Sequence, residues 1–111
     1  MGAAFHIKLE HDDDRWTLIC GGELDVATAH RLEEACDHCG GLRPRSLHID
    51  GRDLSFIDSH GVTALIRCAS LCNEEGIDLT VELSDQARDV LSRAGMAERL
   101  VLGRTTPAAP L

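Results

Sequence analysis

The sequence predicts a single α/β domain in which helices cover mainly one face of a mixed sheet of four to five strands. Short segments with an apolar residue at every second position alternate with longer segments whose apolar residues recur every three or four positions, which are the periods of strands and helices. The strand segments are apolar on one side only, whereas strands buried on both faces are apolar throughout. The order β-β-α-β-α-β-α combines a hairpin with crossover units, and this requires a mixed sheet.

The predicted strands are short and separated by turn residues. The first two form a hairpin around a polar turn, and Gly21-Gly22 ends the second strand. A loop is predicted at 51–57, between the third strand and the following helix. The predicted strands cover 5–9, 16–20, 46–50, 78–83 and, at the sheet edge, 100–102.

Three helices are predicted, each preceded by a residue that can accept hydrogen bonds from first-turn amides. Asp25 can cap the first helix, at 26–39. Asp58 or Ser59 can cap the second, which Gly76 ends. Ser84 or Asp85 can cap the third, which Gly95 ends. The inward-facing residues, at spacings of three and four, are Ala29, Leu32, Cys36 and Cys39, then Val62, Leu65, Ile66, Ala69 and Cys72, then Ala87, Val90, Leu91 and Ala94.

Composition and charge exclude several classes of partner. With 111 residues, 43% of them hydrophobic, the chain has the balance of one globular domain, predicted at 1–102 with a disordered tail at 103–111. The net charge of −8 repels phosphate backbones and anionic lipids, and an aromatic content of 3% leaves few platforms for base stacking. We therefore expect no nucleic acid and no membrane among the partners. The N-terminus lacks the pattern of a secretory signal, which predicts a cytoplasmic protein.

The segment 54–65 is the most informative part of the sequence, because it leads from a strand through a polar turn into an amphipathic helix. Gly61 allows another backbone to approach that turn closely. The first-turn amides and the helix dipole favour negative charge, so a phosphate on Ser59 would be tolerated there. It would add roughly −1.5 to −2 charges beside Asp58. A plain helix cap is the more common role of such a serine, and the spacing alone leaves both roles open.

Two motifs resemble those of one known family. The tetrapeptide Asp-Ser-His-Gly at 58–61, between the stretches 54–57 and 62–65, resembles the signature region of STAS domains. The tetrapeptide Gly-Glu-Leu-Asp at 22–25 resembles the motif at the end of that family's second strand, and 90–96 is similar to the pattern of its last helix. The resemblance extends over nearly the whole chain and implies the same one-sided sheet.

The resemblance also implies a function in transcription regulation. Stand-alone STAS domains of this size are typically bacterial anti-sigma factor antagonists, which bind an anti-sigma factor that is also a serine kinase and so release a sigma factor. The kinase phosphorylates the serine after the motif aspartate, which switches binding off, and a serine phosphatase reverses this. Carried onto this sequence, the phosphorylation site is Ser59, and the partner-binding residues are Asp25, Asp58, Ser59, His60 and Gly61.

His60 is a departure from the family pattern, which usually has a second serine or threonine in this place. A bulkier side chain that can carry positive charge would alter how a kinase fits. The sequence therefore leaves open an alternative, a STAS subunit of a transporter or stress-sensing complex that binds without being switched.

The cysteines suggest a third hypothesis for the function, a thiol redox sensor or a metal-binding protein. Cys36, Cys39, Cys68 and Cys72 are enough ligands for tetrahedral zinc, but they fall on or beside the apolar stripes of helices, where cysteine packs as a small hydrophobe. We expect reduced, buried thiols, with no metal and no cofactor. The sequence also lacks the glycine loop, nucleophile elbow and HExxH motif of common enzyme classes, so we expect no catalytic activity.

Overall fold

The computed structural model describes residues 4–95 and 105–107, and its elements follow the predicted order. They are β1 (His6–Asp12), β2 (Arg15–Leu24), α1 (Ala29–Gly41), β3 (Ser46–Ile57), α2 (Ser59–Glu75), β4 (Asp78–Leu83), α3 (Asp85–Arg93) and β5 (Thr105–Pro107). The strands form one sheet in the order β1-β2-β3-β4-β5, with the β1–β2 pair antiparallel and the other pairs parallel. The predicted mixed sheet in a single α/β domain is confirmed.

Two neighbouring rows of side chains show that one face of the sheet is covered. Leu18 on β2 and Ile49 on β3 lie opposite each other and are fully buried in the core that α1 and α2 share. In the adjacent row, Thr17 and His48 also lie opposite each other but remain half-exposed. The alternation in the sequence therefore corresponds to a sheet with one buried face and one face that is partly exposed to solvent.

β2 and β3 are both longer than the sequence predicts. β2 continues past Gly21-Gly22 to Leu24, and β3 continues through the predicted loop at 51–57. The two strands stay paired through two register shifts in this region, where Gly22 adopts a φ of 87°. The glycines and polar residues that suggested a strand end belong to an irregular stretch of paired strand. This extension carries the chain directly to the turn before α2.

The helix starts agree with the predictions for α2 and α3 but not for α1. Asp58 is the N-cap of α2, and Ser84 is the N-cap of α3. α1 begins at Ala29, three residues later than predicted, and its N-cap is Thr28, so the prediction that Asp25 caps this helix is wrong. The Asp25 side chain bonds within its own loop instead, a geometry that short polar side chains adopt readily.

The C-terminal ends of α2 and α3 determine where their predicted apolar stripes stop. Gly76 ends α2 in the left-handed conformation, with a φ of 70°, as predicted. α3 contributes Ala87 and Leu91 to the core, but Ala94 is exposed because the helix ends at Arg93. None of the helices in the described residues is long and apolar enough to cross a lipid bilayer.

A disulfide joins α1 to α2. It links Cys36 to Cys68, whose Cα atoms are 5.9 Å apart, so the expectation of reduced thiols is wrong for these two residues. Cys20, Cys39 and Cys72 are free and buried, as expected. The sequence places the two bonded cysteines on or beside the apolar stripes of α1 and α2. It does not show which residues of the two helices lie opposite each other.

The last described strand lies in the segment 103–111, for which the sequence predicts disorder. Thr105–Pro107 pairs parallel with β4, so these three residues differ from that expectation. Consecutive threonines favour extended backbone, which suits an edge strand. The edge strand predicted at 100–102 lies outside the described residues, and a domain boundary at 102 stays a prediction.

Candidate partner-binding surface

The carboxyl ends of β2 and β3 meet at one edge of the sheet, because the two strands are parallel. The turn between β3 and α2 lies at this edge and is organised by Asp58. Asp58 Oδ1 accepts hydrogen bonds from the backbone N–H groups of His60, at 2.8 Å, and Gly61, at 3.1 Å. Asp58 Oδ2 accepts one from the N–H of Val26, at 3.3 Å. One carboxylate therefore caps α2 and ties the β2–α1 loop to it.

Asp25 lies in that β2–α1 loop and is engaged by it. Its Oδ1 accepts a hydrogen bond from the N–H of Ala27 at 2.9 Å, and its own N–H donates to Thr28 Oγ1 at 2.9 Å. Because the next residue, Val26, donates to Asp58, the two predicted acidic residues lie on adjoining loops. Asp25 thus shapes the loop beside the turn.

Ser59 is the first residue of α2, and its side chain is exposed. Because Asp58 holds the capping position, the Ser59 hydroxyl is not needed as a cap, and within residues 4–95 it makes no hydrogen bond. The Ser59 carbonyl oxygen accepts a hydrogen bond from Thr63 Oγ1 at 2.9 Å, one turn further along the helix. Of the two roles that the spacing left open, the structure assigns the cap to Asp58.

Gly61 lies beneath the turn and is buried. A Cβ built on it would lie 2.7 Å from the carbonyl oxygen of Leu24 and 2.7 Å from Cγ1 of Ile57, distances that real Cβ atoms do not tolerate. The N–H of Asp58 donates to the same Leu24 oxygen at 3.2 Å. The predicted close approach of a second backbone is confirmed, and that backbone is the end of β2.

His60 is beside Ser59, with 59% of its side chain exposed. Its Nδ1 lies 3.7 Å from Asp58 Oδ1, so the imidazole leans toward the carboxylate that caps the helix. In the described parts of the chain, no group of three or more His, Cys, Asp or Glu side chains is arranged to hold a metal ion.

A cleft of about 370 Å³ extends from this turn along the groove between α1 and α2. Val26, Ser59 and His60 line its outer part. Two turns further along the helices it reaches Glu33 and Arg67, whose side chains form an ion pair at 3.0 Å. We call this the Ser59 cleft.

Two large apolar side chains near the turn were missed by the sequence reasoning. Val26, on the β2–α1 loop, is 66% exposed, and Phe56, two residues before Asp58, is 49% exposed. Aromatic side chains are enriched in protein–protein interfaces relative to the rest of the surface. The available indication in the sequence was an apolar residue directly after the motif at 22–25 and another two residues before the motif at 58–61. We define the Ser59 surface as Val26, Phe56, Asp58, Ser59 and His60.

Comparison with known proteins bears on both fold and family. The family model of the STAS domain matches residues 6–109. A comparison with curated protein sequences returns no match.

Solved structures with the same fold include an anti-sigma factor antagonist and a sulfate transporter family protein. An anti-sigma factor antagonist from Mycobacterium paratuberculosis is 22% identical, with 86% of this chain and 81% of that chain covered and a TM-score of 0.71. The Bacillus cell fate determinant SpoIIAA in the phosphorylated form is 17% identical, with 96% and 92% covered and a TM-score of 0.67. A sulfate transporter family protein from Wolinella succinogenes is 23% identical, with 87% and 80% covered and a TM-score of 0.71. Identities this low demonstrate a shared fold only.

Proposed function

This chain belongs to the STAS domain family, and on that basis we propose that it is an anti-sigma factor antagonist whose binding is switched off by phosphorylation of Ser59. Its partner is an anti-sigma factor with serine kinase activity, and a serine phosphatase restores the binding form. On this proposal the protein is a cytoplasmic regulator of transcription and not an enzyme. The observation that carries it is the free, exposed hydroxyl of Ser59 beside a helix cap that another residue supplies.

The unphosphorylated Ser59 surface suits protein binding. Val26 and Phe56 offer apolar area that a partner can bury, at about 25 cal/mol for each Å² removed from water. Ser59 and His60 add exposed polar groups to this surface. Phenylalanine is among the residue types that are enriched in protein–protein interfaces.

A phosphate on Ser59 would add negative charge to that surface at a helix end whose first-turn amides are already engaged. The first-turn N–H groups of His60 and Gly61 already donate to Asp58, so they are not available to phosphate oxygens, contrary to the expectation from the sequence. The phosphate would add roughly −1.5 to −2 charges beside the Asp58 carboxylate. Docking would then bury like charges together, which costs several kcal/mol in an interface.

The test is a binding comparison between two serine-to-aspartate variants on the same helix. Ser59→Asp adds a charge to the Ser59 surface, whereas Ser70→Asp adds the same charge to an exposed position on α2 that is roughly 16 Å away along the helix. We expect Ser59→Asp to weaken binding of the anti-sigma factor by about tenfold or more, which is about 1.4 kcal/mol, and Ser70→Asp to change it by less than about twofold.

Circular dichroism and thermal melts of both variants serve as folding controls for that comparison. Equal affinities of the two variants for the anti-sigma factor would show that charge at residue 59 is not the switch. An absence of binding by the wild type to every anti-sigma factor of its genome would overturn the proposed function itself.

A second candidate function is a constitutive STAS subunit in a transporter or stress-sensing assembly. The similarity to the Wolinella sulfate transporter family protein favours it, and so does His60 in the place of a second phosphoacceptor. This function predicts stable capture of a transporter or stress-complex subunit that does not depend on ATP. It also predicts that incubation with serine kinases leaves Ser59 unmodified.

A further inference from the structure

The disulfide between Cys36 and Cys68 lies at the bottom of a second cleft, next to the Ser59 cleft. This disulfide cleft has a volume of about 200 Å³ and is lined by both cysteines and by Glu33 and Arg67. Since Glu33 and Arg67 also line the Ser59 cleft, their ion pair forms the wall between the two. The residues that frame the disulfide therefore also shape the groove that begins at Ser59.

A second pair of cysteines lies one helical turn away and provides an internal comparison. Cys39 follows Cys36 along α1, and Cys72 follows Cys68 along α2, but Cys39 and Cys72 are buried free thiols that line neither cleft. Burial raises the pKa of the Cys39 thiol, and burial together with Cys39 raises the pKa of Cys72 to about 11. Thiols of this kind react slowly, because the thiolate is the reactive form.

We propose that Cys36 and Cys68 are a reversible thiol–disulfide exchange site that controls the alignment of α1 against α2 at the Ser59 surface. The two residues are only 3% and 2% exposed, and both line the disulfide cleft, so on this proposal exchange takes place when local opening of the helices widens that cleft for the attacking thiol. The oxidised site is the form that the structure shows. The reactant is a low-molecular-weight thiol of the glutathione type, together with its disulfide.

The exchange proceeds in two balanced steps. The thiolate of one glutathione attacks one sulfur of the Cys36–Cys68 bond, which forms a mixed disulfide and releases the other cysteine as a thiolate that takes up a proton. A second glutathione thiolate attacks the glutathione sulfur of the mixed disulfide, which releases the remaining cysteine and forms glutathione disulfide. The protein disulfide gains two electrons and two protons, and two glutathione molecules are oxidised to one disulfide. The reverse steps oxidise the site.

The cross-link bears on the Ser59 surface because it holds two helices that lie side by side. Cys36 is one turn from Glu33 on α1, and Cys68 is adjacent to Arg67 on α2. The Val26 N–H bonds to Asp58, so the loop that enters α1 is tied to the start of α2. The disulfide is a second link between α1 and α2, two to three helical turns beyond the first. Oxidation therefore preorganises the cleft, and reduction lets α1 open locally from α2.

The first experiment uses the protein alone. Wild-type protein is equilibrated in glutathione and glutathione disulfide at varied ratios, free thiols are alkylated, and the mass gives the oxidised fraction. Hydrogen exchange is then measured on both forms. We expect one two-electron transition at Cys36 and Cys68, and amide exchange in α1 that is at least about tenfold faster after reduction. Failure to form the disulfide, or equal exchange in both forms, would overturn the inference.

Two double variants provide the matched comparison. Cys36→Ala/Cys68→Ala removes the site and is expected to exchange like the reduced wild type at every glutathione ratio. Cys39→Ala/Cys72→Ala removes the same two residue types from the same two helices, one turn away, and is expected to keep the transition. Loss of the transition only in the second variant would place the site at Cys39 and Cys72 and overturn the proposal. If either variant fails to fold, the comparison of oxidised and reduced wild type still decides.

The binding experiment rests on the proposed function, and its failure can be told apart from failure of that function. We expect the oxidised protein to bind the anti-sigma factor about fivefold more tightly than the reduced protein, mainly through slower dissociation. Equal binding of the two forms, or tighter binding by the reduced form, would overturn the regulatory inference and leave the proposed function in place. No binding in either form would overturn the proposed function, while hydrogen exchange would still decide the redox site.

Discussion

The starts of α2 and α3 contain the same two residue types in opposite order. Asp58 and then Ser59 begin α2 after β3, whereas Ser84 and then Asp85 begin α3 after β4. In each case the first residue of the pair is the N-cap. The Ser84 hydroxyl accepts a hydrogen bond from the N–H of Ala87 at 3.1 Å, and the Asp58 carboxylate accepts the corresponding bond from Gly61 at 3.1 Å.

This difference shows that a shift of one residue decides whether a serine hydroxyl caps a helix or is left exposed to solvent. Ser84 is half-buried and its hydroxyl is part of the helix cap. Ser59 is displaced by one residue, so its hydroxyl faces solvent while an aspartate takes over the cap. Composition around the two turns is similar, and only the order of the residues separates a cap from a candidate phosphorylation site.

The largest difference in the free energy of unfolding between the two helix starts is expected at the third residue of each helix. Gly61→Ala should lower the free energy of unfolding by about 2–3 kcal/mol, because the new Cβ would overlap the Leu24 carbonyl oxygen and Ile57. Ala87→Gly at the matching position of α3 should cost about 1–2 kcal/mol, through lost helix propensity and a lost buried methyl group. Urea titration measures both, and a harmless Gly61→Ala would show that the α2 turn is not packed against β2.

Removing the caps should have the next largest effect. Asp58→Ala should destabilise the protein by about 1–2 kcal/mol, because it frees the first-turn amides of α2 and the N–H of Val26. Ser84→Ala should cost about 1 kcal/mol, because one capping bond is lost. Thermal melts in parallel give both values. A greater loss of stability for Ser84→Ala than for Asp58→Ala would contradict the order expected from their hydrogen bonds, three to Asp58 and one to Ser84.

The smallest effect is expected at Ser59 itself. Ser59→Ala should change the free energy of unfolding by less than about 0.5 kcal/mol, since the hydroxyl is exposed and caps nothing. Denaturant unfolding beside Ser84→Ala tests this directly. A loss at Ser59 as large as that at Ser84 would mean that Ser59 shares in capping α2.

The sequence predicts the fold well wherever local periodicity determines the structure. The alternation around Leu18 and Ile49 predicts the one-sided sheet, and the glycine at 76 predicts the end of α2. The extension of β3 past residue 50 was not predictable in this way, because its pairing with β2 is non-local and passes through register shifts. The start of α1 was mispredicted because Asp25 satisfies its own loop, an alternative that a capping pattern cannot exclude.

For the turn before α2, the sequence identifies the residues but not the structural role of each, and their part in partner binding stays a prediction. The motif identifies Asp58, Ser59 and Gly61, but only the hydrogen bonds assign the cap to Asp58 and leave the Ser59 hydroxyl free. Val26 was taken as the start of a helix, although it lies exposed in the loop before α1. The Cys36–Cys68 pair depends on how two helices meet, and sequence spacing within each helix does not contain that information.

Mapping the phosphate that a serine kinase transfers to this protein tests directly whether Ser59 is the phosphoacceptor. The wild type, Ser59→Ala and Ser84→Ala are each incubated with ATP and the ATP-binding anti-sigma factors of the same genome, and the products are digested and analysed by mass spectrometry. We predict phosphate on Ser59 in the wild type and in Ser84→Ala, none on Ser84, and no labelling of Ser59→Ala. Phosphate on Ser84, or undiminished labelling of Ser59→Ala, would show that Ser59 is not the phosphoacceptor.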